Sequence, residues 1–423
     1  MEFHVAPAEA PNAEDWFVPG DGLSAAELAD ISEDRGSRRV VNLDLIGANY
    51  RAARTMAGKD VIAVVKARAY GAGLVPVGKR LMKEGCTAFA VASLGAGLAL
   101  RRELGAAPMI LVLGYTPPEG LLKAARERIS LTLTDDDDLW PVYEAELQRR
   151  TPGLPIHFHM NLDTGMTRVG IPAHSAERVI KMAETIQDAP WATLQGLYTH
   201  FASADSPRAE SPDDEALTLT QIRLFEDRFK DLQGQGVSPQ FVHLANSPAL
   251  EQYSEAVEPT WITHVRPGSV LHGMGLDDTP FRRATRWETT LVRVEQLAKD
   301  TGVGYGHKYR AKAGQYIGTL PVGYADGFMP PQTHEPNVVR IDDVLVPVVS
   351  LAMDMCMVDL GPYVQKKGAP PDVSRTVVTL ISDAASPEPL SAESVAERWG
   401  QHWAIALSGI RTRNTRVYTS AAP

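Results

Sequence analysis

A lysine closes the first strongly apolar run of the sequence, Val61-Ile62-Ala63-Val64-Val65-Lys66. An amine at the end of a buried strand is partly desolvated. Desolvation lowers its pKa and frees it to form a Schiff base with a carbonyl compound. A lysine that snorkels to the surface is the plainer reading of the same residue. Tyr70-Gly71-Ala72-Gly73 follows at once and predicts a flexible loop with a phenol one helical turn from the amine. Later apolar runs end on Asp163–Arg168, on His200, on Asn246-Ser247 and on Arg266-Pro267-Gly268-Ser269. Hydroxyls, glycine amides and arginines at neighbouring strand ends can cradle one phosphate.

Other features point to less. Asp135–Asp138 could bind a hard cation, but four carboxylates after a strand read first as a solvated helix start. His157 and His159 alternate on one strand and share a face, yet no further His or Cys stands near them, so no metal site is expected. Gly95-Ala96-Gly97 and Gly302–Gly306 lack the strand–GxGxxG–helix order of a dinucleotide site. Cys356 reads as a core thiol.

The elements that must position these residues alternate. After a lead-in strand at Val40–Leu43 and a helix through Arg51, the pattern predicts eight strands. They are Val61–Ala67, Ala88–Ala92, Met109–Gly114, Ser130–Thr134, Ile156–Asp163, Leu194–Phe201, Phe241–Asn246 and His264–Gly268. Between them lie helix-period stretches such as Pro76–Glu84, Gly97–Leu104, Gly120–Arg128, Ser175–Ile186 and Thr218–Leu232. Strand count and length predict a (β/α)8 barrel over residues 40–285, with its chemistry at the C-terminal strand ends. From 286 to 423 the rhythm predicts a mainly β domain. Its strands are expected at Thr289–Leu297, Gln315–Pro321, Val338–Ile341, Val344–Val349, Met355–Leu360, Val377–Ile381 and Ala404–Leu407, with one helix near Ala392–Trp399. Residues 1–39 read as an acidic, Pro/Ala-rich extension with one short helix, Ser24–Ile31.

Composition narrows the partners. The 52 acidic residues outnumber the 42 basic ones, a net charge of −10, which argues against a nucleic-acid partner. Two cysteines cannot make a disulfide framework. Apolar runs are strand-sized and no basic-then-apolar leader is apparent, so a cytoplasmic protein with no membrane span is expected.

The blocks VIAVVKARAYGAG (Val61–Gly73), ILVLGYTPPE (Ile110–Glu119), DTGMTRVG (Asp163–Gly170), LYTHFASAD (Leu197–Asp205), HLANSPA (His243–Ala249), HVRPGS (His264–Ser269), LPVGYADGF (Leu320–Phe328) and VVSLAMDMCMVDL (Val348–Leu360) occur in one order. Together they resemble the alanine racemase family. The resemblance implies a pyridoxal-phosphate enzyme, a (β/α)8 barrel with a β domain, and racemisation of a small amino acid, L-alanine by default. Serine or a broader range, or a pyridoxal-phosphate decarboxylase of the same architecture, are the alternatives.

By position, the resemblance makes Lys66 the cofactor-bearing lysine and first base, and Tyr324 the second base. It makes Tyr70, Ser247, Gly268 and Ser269 phosphate ligands. Arg168 matches the arginine near the cofactor's phenolic oxygen, which also binds substrate; His200 matches the histidine over the ring, and Arg266 the arginine at the pyridine nitrogen. Met353 and Asp354 match the pair that places the substrate carboxylate. Tyr324 and this pair are implied to enter the site from the other subunit of a homodimer. The chain departs from the family at Arg68, at Ala72, at Asn161 in place of a lysine, and at Thr412 in place of a tyrosine that narrows the pocket, followed by Arg413-Asn414-Thr415-Arg416 where the family reads RVPR. Thr412 predicts extra room for substrate.

Overall fold

The computed structural model describes residues 36–133, 139–150, 155–276, 279–373, 375–384 and 388–419. The helix expected at Ser24–Ile31 and the run Asp135–Asp138 lie outside these residues.

Eight parallel strands close a barrel: Asp60–Val64, Ala88–Val91, Met109–Val112, Ser130–Leu133, Ile156–Asp163, Ala192–Tyr198, Phe241–His243 and His264–Val265. The last pairs back onto the first, His264 opposite Asp60. All eight predicted strands are present, the final two much shortened. Amphipathic helices such as Leu43–Ala57 and Ala176–Asp188 wrap the outside, turning residues such as Ile46 and Val179 onto the strands. The inside is divided. One side is an apolar cluster of Ile62, Val64, Ala88, Ala90, Leu111 and Phe241. The other is polar and buried, with Thr132, His159, Tyr198, His243 and Arg266. Buried polar groups persist only when hydrogen-bonded, and these join into a chain. The Arg266 guanidinium donates to His243 Nδ1 (2.9 Å), His243 Nε2 meets His159 Nδ1 (2.9 Å), and His159 Nε2 meets Gln195 Oε1 (3.3 Å).

The second domain centres on a nine-stranded sheet. Val338–Ile341 and Val377–Ile381 fall at their predicted bounds. Three expectations need correction. The single strand read at Thr289–Leu297 is two, Thr285–Thr290 and Arg293–Gln296. Ala404–Leu407 is not a strand but part of a helix, Trp403–Gly409, whose first turn is capped by His402 Nδ1 accepting from the Ala404 N–H (3.2 Å). Four apolar residues in a row carry no period that separates a short strand from a buried helical turn. The lead-in strand, Arg38–Asn42, joins the second domain's sheet rather than the barrel. It runs antiparallel to Thr285–Thr290 and parallel to Thr415–Thr419. Arg38 and Arg39, read as the end of the extension, are therefore strand, and the helix Gly361–Lys367 and the strand Thr415–Thr419 were not predicted at all.

Candidate active site

A cavity of about 730 Å³ opens at the C-terminal ends of the barrel strands, where parallel barrels carry their chemistry. Lys66, Tyr70, Arg168, His200, Ser247, Arg266, Gly268 and Ser269 all line it. Residues far apart in the sequence are thus brought together. Tyr324, Met353 and Asp354 do not line this cavity.

Lys66 follows the first barrel strand and is half buried. Burial, then the charges of Arg168 and Arg266, hold its amine below the usual lysine range. The segment after it is not the flexible loop expected. Ala67, Arg68, Ala69 and Tyr70 have φ of 51°, 55°, 54° and 53°, one turn of left-handed helix built from residues with a Cβ. Each costs about 1–2 kcal/mol relative to a right-handed turn. The turn closes on its own ladder, with Gly71 N donating to Ala67 O (2.8 Å) and Gly73 N to Arg68 O (2.8 Å). It places the Tyr70 phenol over Gly268, where an added Cβ would strike the phenolic oxygen. Burial pushes that phenol up to about 12 and keeps it a donor.

Ser247 opens a helix capped by Asn246, whose Oδ1 accepts from Ala249 N (3.0 Å). Its Oγ accepts the Gly268 N–H (2.8 Å). With that lone pair occupied, the hydroxyl proton is left to donate elsewhere. Arg168 stands on a loop that Asp163 ties off: one carboxylate oxygen accepts from Gly165 N, Met166 N and Thr167 N at 3.0, 2.9 and 3.0 Å. Asn161 does not reach Arg168; its Nδ2 donates to Val169 O (2.7 Å) and fixes the loop backbone instead. Arg266 is buried, with both terminal nitrogens donating to barrel groups, including Thr199 O (2.6 Å) and His243 Nδ1. Its Nε–H remains for the cavity. Burial lowers its pKa to about 10, still a cation at neutral pH.

Tyr324 and Met353 lie 43% and 53% exposed on adjoining turns, joined by Tyr324 N donating to Ala352 O (3.1 Å) and Ala325 N to Met353 O (3.0 Å). Buried Asp326 locks the Tyr324 turn, accepting from Gly323 N (2.9 Å) and Arg413 Nε (2.7 Å); Arg413 also pairs with Asp354.

Thr412 is exposed and is not among the residues that line the cavity. That wall is built by His402, Trp403 and Ala404. Trp403 stacks on Tyr70 with ring centroids 6.3 Å apart and planes 21° apart. Sequence reasoning missed this tryptophan because its helix was read as a strand. It also passed over Tyr198 and His243; Tyr198 shares a face with His200 by simple alternation, a signal that was available. Arg68 is exposed and does not line the cavity, and Ala72 is fully buried. Among the described residues no cluster of three potential metal ligands occurs, and no helix is long and apolar enough to cross a membrane.

The histidines set a pH limit. Burial holds His159, His200 and His272 down to about 3 and His264 to about 4, and lowers His243 well below the usual value. For His200 the cations Arg266, Arg168 and Lys66 add to burial. Unfolded histidines titrate near 6.5, so below that pH the unfolded chain binds more protons. The stability these residues contribute is full above about pH 6.5 and is lost as pH falls through it towards the folded values, by about 1.4 kcal/mol per histidine per pH unit. Equilibrium denaturation should show a steep fall between pH 6.5 and 5. A flat profile there would contradict the buried neutral assignment.

The comparisons with known proteins agree with this geometry. The family profile "Alanine racemase, N-terminal domain" matches residues 41–275, and "Alanine racemase, C-terminal domain" matches 284–418. An alanine racemase of Geobacillus stearothermophilus is 35% identical over 333 residues, 76% of this chain and 80% of that protein. One from Limosilactobacillus reuteri (strain DSM 20016) is 31% identical over 91% of this chain and 97% of its own. The crystal structure of alanine racemase from Bacillus anthracis with bound L-Ala-P superposes with a TM-score of 0.77 at 30% identity, covering 91% of this chain and 95% of that one. The Streptomyces coelicolor A3(2) alanine racemase reaches 0.80 at 27% identity, covering 93% and 100%. Two domain profiles matched in order, on a barrel whose strand ends gather one amine and two guanidinium groups, leave one conclusion: the chain belongs to the alanine racemase family.

Proposed function

We propose that this chain racemises a small amino acid, L-alanine to D-alanine by default, with pyridoxal phosphate held at Lys66. The observation that carries the reading is the half-buried amine of Lys66, kept below its usual pKa beside Arg168 and Arg266 in the barrel-end cavity. The residues present fit the cofactor. Gly268, crowded by the Tyr70 phenol, has no room for a side chain, and the hydroxyls of Tyr70, Ser247 and Ser269 surround it as phosphate donors. Arg266 would meet the ring nitrogen through Nε–H and, as a permanent cation, keep its proton. Arg168 would meet the phenolic oxygen and the substrate, and His200 the ring. When bound, pyridoxal phosphate withdraws electrons from the substrate's α-carbon and makes its proton acidic.

Inversion needs a proton removed on one face and returned on the other. Lys66 serves one face. Tyr324 of the partner subunit serves the other, with the partner's Met353 and the partner's Asp354 placing the substrate carboxylate. The exposure of Tyr324 and Met353, away from their own chain's cavity, supports a homodimer with shared sites. The two buried free thiols, Cys86 and Cys356, support a cytoplasmic setting. Incubation with L-alanine in deuterated water should yield α-deuterated D-alanine; absence of both label and D-enantiomer overturns the reading.

The Trp403 wall favours a small side chain. Trp403→Ala should raise kcat/KM for serine and 2-aminobutyrate relative to alanine by about 1–2 kcal/mol of transition-state energy. An unchanged ratio would remove Trp403 from specificity.

A further inference from the structure

The left-handed turn after Lys66 is gripped from outside the barrel. Arg39 on Arg38–Asn42 and Arg416 on Thr415–Thr419 are direct partners in a parallel ladder. Like charges in that position repel. Arg39 is also buried to 1% exposure. Burial, with the Arg416 charge second, lowers its guanidinium to about 9. A buried charge of this kind is costly without a carboxylate partner, and the hydrogen bonds both side chains make go to main-chain carbonyls. Arg39 donates to Tyr70 O (2.8 Å) and Leu407 O (2.8 Å), and Arg416 donates to Gly71 O (2.8 Å). The grip is close: Gly71, at φ 82°, has the Arg39 guanidinium where a Cβ would stand. Leu407 lies in the helix whose Trp403 leans on the Tyr70 ring, so Arg39 joins both sides of that contact.

We propose that Arg39 and Arg416 form a clamp by which the second domain holds the left-handed turn Ala67–Tyr70, and that this clamp sets the Lys66 amine and the Tyr70 phenol for the phosphorylated cofactor. Both are positioning residues; neither lines the cavity. The inference rests on the reading of Lys66 and Tyr70 as cofactor ligands. It explains why four residues with side chains stay left-handed beside the reactive amine: the carbonyls at the turn's exit are fixed from the other domain.

Two variants test it. Arg39→Lys replaces the rigid fork, whose two nitrogens each meet one carbonyl, by a single nitrogen on a flexible stem. Arg416→Gln is the milder change, at a half-buried position, and decides the matter if Arg39→Lys does not fold. Wild type and variants are stripped of cofactor, melted, and titrated with pyridoxal phosphate by absorbance. The dissociation constant should rise about 10- to 100-fold in each variant, the loss expected for hydrogen bonds to a charged donor. Melting temperatures of the stripped proteins should stay within a few degrees of each other. A purely structural fastener would lower that melting temperature and leave the affinity of folded protein unchanged. Affinity within twofold of wild type in folded Arg416→Gln therefore overturns the clamp alone. A wild type that takes up no pyridoxal phosphate overturns the clamp together with the reading beneath it.

Discussion

Lys66→Ala is expected to lower kcat/KM for alanine by about 10⁴-fold or more, the largest loss expected from any single substitution in the site, because it removes both a base and the attachment point of the cofactor. Three features of the site lead there. The amine closes the first barrel strand, it is half buried, and it faces Arg168 and Arg266, so its uncharged, nucleophilic form is favoured. Borohydride treatment of wild type with pyridoxal phosphate should leave one stable mass adduct, on the peptide containing Lys66. Lys66→Ala should show none. An adduct on a different lysine, or activity within tenfold of wild type, would sink the assignment.

Tyr324→Phe is expected to retain cofactor and lose about 10²–10⁴-fold in rate, the usual weight of one general base. Its more telling use is in mixtures. Tyr324 is exposed on its own chain and absent from that chain's cavity. If each site joins one chain's Lys66 to the other chain's Tyr324, a dimer of one Lys66→Ala and one Tyr324→Phe chain holds one site with both defects and one with neither. Random re-pairing makes about half of all dimers mixed, so activity should recover to about a quarter of wild type from two inactive stocks, an order-of-magnitude estimate within the symmetric-dimer picture. Verified mixed dimers without recovery would show that each site is completed within one chain.

The barrel was legible because its strands are short apolar runs at regular spacing, and because buried parallel strands need no alternation to be recognised. The site residues were legible as types at strand ends. Their meeting was not, since it depends on loop geometry. The Tyr70 segment shows why. Ala-Arg-Ala-Tyr has ordinary right-handed preferences, and Gly71 and Gly73 invite a loop reading. The left-handed turn has its exit held by Arg39 and Arg416, the latter 345 positions from the Gly71 carbonyl it binds. Trp403 was hidden for a related reason: its packing on Tyr70 comes from a helix whose sequence does not declare its period.

Strand Arg38–Asn42 lies against Thr415–Thr419, although the second is translated long after the first. At about 5–20 residues per second the early strand waits roughly 20–75 s for its neighbour. The eight barrel strands form a sheet of their own and can close during that interval. The nine-stranded sheet cannot, and Val40 and Val41 lack their last strand partner on the nascent chain until residue 419 has left the ribosome. Synthesis is thus expected to proceed barrel first, with the long-range closure following. Maturation of the amine-bearing turn is expected to wait for synthesis of Thr415–Thr419, and so to be timed by the second domain and not by folding of the barrel that contains it.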